Sequence, residues 1–156
     1  MTKNSLFFLA LSTFFVIVLL ILVGFSLRES EDSIHFQTVI NGENSGITKP
    51  QRLVIKTQEE WQTLWKKHSA LEPNSPPHVD FTRNMVIAVF KGETNWSVPP
   101  KIKKVEKREG FLLVTIDESL PPSSYLGPAA PFAQPFHIIR LERNTLPVRF
   151  ETTSSS

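Results

Sequence analysis

From Leu6 to Leu27 the chain runs LFFLALSTFFVIVLLILVGFSL, 22 residues without a charge. No other stretch limits the possible folds so strongly. As a helix rising 1.5 Å per residue it covers about the 30 Å hydrocarbon thickness of a bilayer. Its polar members are Ser12, Thr13 and Ser26. A cleaved secretory signal is the alternative, but such signals carry shorter apolar cores of about 7–15 residues and then a small-x-small site. Val23-Gly24-Phe25-Ser26-Leu27 matches that site poorly. Residues 1–28 therefore read as a membrane anchor that meets the bilayer through residues 6–27, the remainder being secreted if the segment is cleaved. Lys3 and the terminal amine precede the span, whereas Arg28 is followed by Glu29, Glu31 and Asp32. Basic residues favour the cytoplasmic side and acidic ones count little. The narrow balance puts the N-terminus inside and the rest of the chain outside the cytoplasm.

Beyond the anchor lie roughly 125 residues, enough for one domain with its own core. The formal charge of +2 comes from Lys3 and Arg28, which leaves 15 basic against 15 acidic residues downstream. Such a domain has no overall field to attract a polyanion, so nucleic acid is not an expected partner. Cysteine is absent. That excludes thiol nucleophiles, thiolate metal sites, iron–sulfur clusters and a lipidated N-terminal cysteine.

Residues 29–35 read as a polar linker, 36–150 as a β-rich domain and 151–156 as a disordered tail. Ile34 to Ile40 and Leu53 to Lys56 are plausible strands, separated by the turn-rich Asn41-Gly42-Glu43-Asn44-Ser45-Gly46. Thr57-Gln58-Glu59-Glu60 matches a capping box. Trp61, Leu64, Trp65 and His68 then share one helical face, and the helix must stop before Pro73-Asn74-Ser75-Pro76-Pro77. Two tryptophans on such a face are read as core anchors. Met85-Val86-Ile87-Ala88-Val89-Phe90 is a continuous apolar run, expected of a strand buried on both faces. Lys101–Arg108 and Phe111–Ile116 flank Glu109-Gly110 as a hairpin. On a regular strand Lys101, Lys103, Val105 and Lys107 share one face, and the lysines read as guards of a sheet edge. Pro121 to Pro135 holds five prolines and reads as a loop. Phe136–Leu141 and Val148–Phe150 complete about seven short strands. The expected class is mainly β, leaning to α+β: an antiparallel β-sandwich or barrel with one amphipathic helix, preceded by a transmembrane helix.

No arrangement of residues spells out an enzyme. The four histidines lack HExxH or HxH spacing, and His78-Val79-Asp80 offers at most two metal ligands. There is no GxSxG elbow, no SxxK and no glycine-rich phosphate loop. Asp117 and Glu118 are adjacent on a strand and point apart. No catalytic residue, metal ligand or cofactor is therefore expected. The loop Gly92 to Pro100 is the best candidate binding element. It places Asn95, Trp96 and Ser97 after a buried strand, where a tryptophan either covers the core or anchors a partner. Tyr125 and Phe132 in the proline-rich loop form a second candidate surface.

Asn44-Ser45-Gly46-Ile47, Glu59-Glu60-Trp61-Gln62-Thr63-Leu64-Trp65, Val79-Asp80-Phe81, Met85 to Glu93 and Gln134 to Ile139 occur in one order and spacing. As an ordered set they resemble the C-terminal domain of the protease-complex subunit PrcB family, over about Phe36 to Phe150. The resemblance implies a bacterial extracytoplasmic domain that helps to stabilise a surface protease complex, with an extracytoplasmic protease or other envelope protein as partner. It carries over no catalytic residues. Where the family has a Gly-Gly-Tyr loop, similar to that of chagasin-like protease inhibitors, this chain has Asn95-Trp96-Ser97. A loop-insertion inhibitor is accordingly the alternative function, and the missing glycines weigh against it.

Overall fold

The computed structural model describes residues 33–68, 75–119 and 132–153. The anchor assigned to residues 6–27 lies outside them, and no helix among the described residues is long and apolar enough to cross a membrane. The compact unit that begins at Ile34 is mainly β, with two sheets and one helix. Strands β1 (Phe36–Gly42), β2 (Gln51–Ile55), β3 (Asn84–Phe90) and β6 (Phe136–Glu142) form one sheet in the order β1-β6-β3-β2. Strands β4 (Lys101–Arg108), β5 (Phe111–Asp117) and β7 (Val148–Thr153) form the other, in the order β4-β5-β7. Helix α1 (Gln58–His68) covers the outer face of the four-stranded sheet.

β3 explains this layering. Its side chains alternate between two cores. Val86, Ala88 and Phe90 meet Trp61, Leu64 and Trp65 of α1. Met85, Ile87 and Val89 meet Ile102, Val105, Leu112, Val114 and Ile116 of the second sheet. A strand with apolar walls on both sides has no polar face, and the run from Met85 to Phe90 has none. The unit is therefore a sandwich of helix, four-stranded sheet and three-stranded sheet, rather than a closed barrel.

α1 starts where its capping box places it. The Glu60 amide donates to Thr57 Oγ1 at 3.2 Å, and Glu60 Oε2 accepts from the Thr57 and Lys56 amides at 3.2 and 2.8 Å. Trp61, Leu64, Trp65 and His68 are its buried residues. Trp61 is fully buried, and its Nε1–H donates to the Pro77 carbonyl at 3.0 Å, so its polar end is satisfied as well.

Four expectations need correction. The sheets are not wholly antiparallel, because β7 runs parallel to β5. The chain leaves β5, passes through β6 in the other sheet, and returns along the direction β5 took; alternation within β7 carries no record of that route. β4 does not keep one face. A register shift between Ile102 and Lys104 buries both Ile102 and Val105, so Val105 points away from the face of Lys101 and Lys103. The domain also starts earlier and ends later than 36–150. The Ile34 amide donates to the Val105 carbonyl at 2.7 Å, which takes Ile34 and His35 out of the linker. Residues 151–153 belong to β7, not to a disordered tail, and Glu118 donates its amide to the Thr153 carbonyl.

Candidate functional site

Gly42, Gln51, Phe90 and Phe136 are register neighbours at one end of the four-stranded sheet. The segments that leave or enter there are thus brought together by strand pairing alone. Gln134 ties them. Its amide donates to the Glu43 carbonyl at 2.8 Å, its carbonyl accepts from Ser45 at 3.0 Å, and its Oε1 accepts from the Gly46 amide at 3.2 Å. Lys91 and Thr94 donate their amides to the carbonyls of Pro135 and Ala133, at 3.0 and 2.8 Å. Glu93 donates to the Thr48 carbonyl at 3.0 Å. Gly92 makes this closeness possible. It has φ +74°, and a Cβ there would lie 2.7 Å from Pro50 N and Cδ.

On this laced base Glu93, Thr94, Asn95, Trp96 and Phe132 line an open concavity of about 330 Å³. Asn95 is exposed, and Trp96 and Ser97 are half-buried. Trp96 belongs to neither apolar cluster of the described residues. Its amide approaches Thr94 Oγ1 at 3.4 Å. Phe132 is 67 % exposed and has φ +67°, a left-handed conformation unusual for a bulky residue. Among the described residues it is the exposed large hydrophobic side chain. The structure thus gathers Asn95, Trp96 and Phe132, leaves Ser97 off the lining, and does not describe Tyr125. Gln134, which ties residues 43–46 to the segment that enters β6, has no sequence signal for that role; a glutamine before a proline has many uses.

The titratable groups with displaced pKa values hold structure. His137 lies between the sheets, and burial pushes its pKa down, with Lys101 adding repulsion. Its Nδ1 accepts the Ile102 amide at 3.0 Å, which leaves Nε2 to carry the hydrogen and donate to Thr38 Oγ1 at 2.9 Å. Both ring nitrogens are occupied. His68 is packed edge-on against Phe136, with ring centroids 4.4 Å apart, and against Trp65 at 4.9 Å. Burial lowers its pKa too, opposed by a bond to the Ser45 main chain. Asp80 accepts from the Thr82 amide and hydroxyl at 3.0 and 2.6 Å, contacts that lower its pKa and fix the turn into β3. The carboxylate is thereby engaged, and His78 beside it is exposed. No group of three His, Cys, Asp or Glu residues placed to hold a metal occurs among the described residues.

The lysine-rich strand β4 pairs part of its own charge. Glu106, almost buried, receives Lys104 at 2.8 Å and Arg108 at 3.1 Å, and the Lys104 contact leads in lowering its pKa. Lys103 lies 3.2 Å from Asp117. Comparison of the chain with protein-family models, with curated proteins and with solved structures gives no match.

Proposed function

We propose that this protein is a membrane-anchored, extracytoplasmic binding module that holds a partner protein with the loops around Trp96 and Phe132. The single observation that carries this reading is Phe132. A phenylalanine held at positive φ costs on the order of 1–3 kcal/mol, and here it presents its ring to water instead of a core. Beside it stands the half-buried Trp96, and beneath both is a base braced by five main-chain bonds from Lys91, Glu93, Thr94, Ser45 and Gln134. Aromatic side chains on a rigid rim are what a protein partner uses as anchors.

The apolar segment 6–27 supports attachment to a membrane, and the resemblance to the PrcB family supports an extracytoplasmic protease or its complex as the partner. Affinity capture from cross-linked membranes tests the reading, using the full chain and its Trp96→Ala variant. An enriched envelope protein that is lost with the variant, while the circular dichroism of the variant is unchanged, is the expected result. Equal recovery by both proteins would remove the loops from the interface. Inhibition of a captured protease by the full chain would shift the reading to the loop-insertion inhibitor.

A further inference from the structure

Among the described residues four strands have an outer edge, and three are guarded. β1 is interrupted by a register shift between Thr38 and Ile40, and β4 by one between Ile102 and Lys104. β4 also carries Lys101, Lys103, Lys104, Lys107 and Arg108, and β7 carries Arg149 and Glu151. Bulges and charges of this kind keep foreign strands from pairing. β2 has neither defence. Its register with β3 is regular from Gln51 to Ile55, and its one charge, Arg52, is drawn toward Glu118 at 3.6 Å and Thr152 on the side away from α1. Among the described residues no strand lies on its other side. An edge strand points alternate amides and carbonyls outward, and an extended backbone satisfies them better than a helix or a folded surface does.

Along this edge runs a groove of about 400 Å³ between β2 and α1, with Leu53, Ile55 and Leu64 in its lining. Its charges are polarised. Glu59, in the first turn of α1, lies at the Ile55 end, and Lys67, in the last turn, lies at the Gln51 end. Eight helical steps cover about 12 Å and four strand steps about 13 Å. The two charges therefore stand opposite the two ends of β2.

We infer that the β2 edge and the α1 groove dock an extended segment of a partner protein, added antiparallel as a fifth strand. The complementary segment places a basic side chain toward Glu59, an apolar one toward Leu53 and Leu64, and an acidic one toward Lys67, at alternate positions. This surface is separate from the Trp96–Phe132 loops, and either can fail without the other.

The test is an amide chemical-shift titration of the full chain in detergent with the peptide Ser-Lys-Thr-Val-Thr-Glu-Ser. Two controls accompany it, a copy with the backbone N-methylated on the residues that would face β2, and a copy with Lys and Glu exchanged. Saturable shifts in β2 and α1 are expected, weakened more than tenfold by N-methylation. The exchanged peptide should bind roughly threefold to tenfold more weakly, as two exposed ion pairs are reversed, and the Glu59→Lys/Lys67→Glu double variant should restore it. Absence of these shifts at millimolar peptide overturns the inference, as does equal binding of the N-methylated copy. Shifts confined to the Trp96 and Phe132 loops also overturn it, as does concentration-dependent pairing of the β2 edge with a second copy in the absence of peptide.

Discussion

Replacing His137 by leucine probes a buried polar side chain that links the two sheets. The imidazole is 5 % exposed, and Ile102, whose amide it accepts, is 2 % exposed. Leucine fills much of the same space but offers no acceptor. The Ile102 N–H is then buried without a partner, at a cost of about 1–3 kcal/mol. Thr38 is exposed and turns to water, so losing its bond to Nε2 adds little. A net loss of about 2 kcal/mol lowers the melting temperature of a domain this size by roughly 6–10 °C. Thermal and urea unfolding of the full chain in mild detergent at pH 7.5 measures it.

The same ring predicts a pH signature. Its folded pKa lies below the unfolded value of 6.5, so the unfolded chain binds the extra proton first as pH falls. Stability from the neutral ring is complete above about pH 6.5 and is lost below it, at up to about 1.4 kcal/mol per pH unit for each such imidazole. His68, lowered for the same main reason, contributes its own share. His137→Leu should therefore lose less stability than the parent between pH 7.5 and 5.5. A variant that is as stable as the parent at pH 7.5 and loses as much on acidification would refute the assigned tautomer and its bonds.

Gly92→Ala should cost about 2–4 kcal/mol, because a left-handed alanine is strained and its Cβ meets the Pro50 ring and main chain. Amide exchange at Glu93 and Thr94 should quicken; unchanged exchange would contradict the lacing of the loops. The Asp117 carboxyl, held by Ser119 and by Lys103, titrates at about 2 in place of 3.8. Its stabilising effect is present above pH 3.8 and disappears as pH falls toward 2, so Asp117→Asn should flatten the acid limb of the stability curve, and an unaltered limb would exclude the contact.

Much of the fold is legible in sequence because its causes are local. Thr57 and Glu60 announce the start of α1, and four residues spaced at one helical face become its buried stripe. The unbroken apolar run of β3 announces a strand with two covered faces. Positive φ at Gly110 fits the hairpin turn expected at Glu109-Gly110. The bulges are not legible, since one extra residue changes which side chains face inward without changing composition. Ile34 and Phe36 enter the inter-sheet core while Ile40, beyond the shift in β1, turns to the helix side. The partner of β7 is also invisible, being fixed by a crossover through another sheet.

The candidate site was half legible. A tryptophan and a phenylalanine in two polar, proline-flanked loops stand out by composition. Their adjacency depends on the pairing of β3 with β6 and on the main-chain bonds from Thr94 to Ala133 and from Lys91 to Pro135, which no spacing between residues 96 and 132 discloses.

Photo-cross-linking reports whether the loops around Trp96 and Phe132 touch a partner. A benzophenone amino acid replaces Phe132 in one full-length chain, and Arg149, on the second sheet, in another. Illumination of intact membranes should give one discrete envelope-protein adduct from position 132, none from 149, and a marked reduction when Trp96→Ala is added. No adduct from position 132, or the same adducts from both positions, would contradict the assignment of these loops as the binding surface.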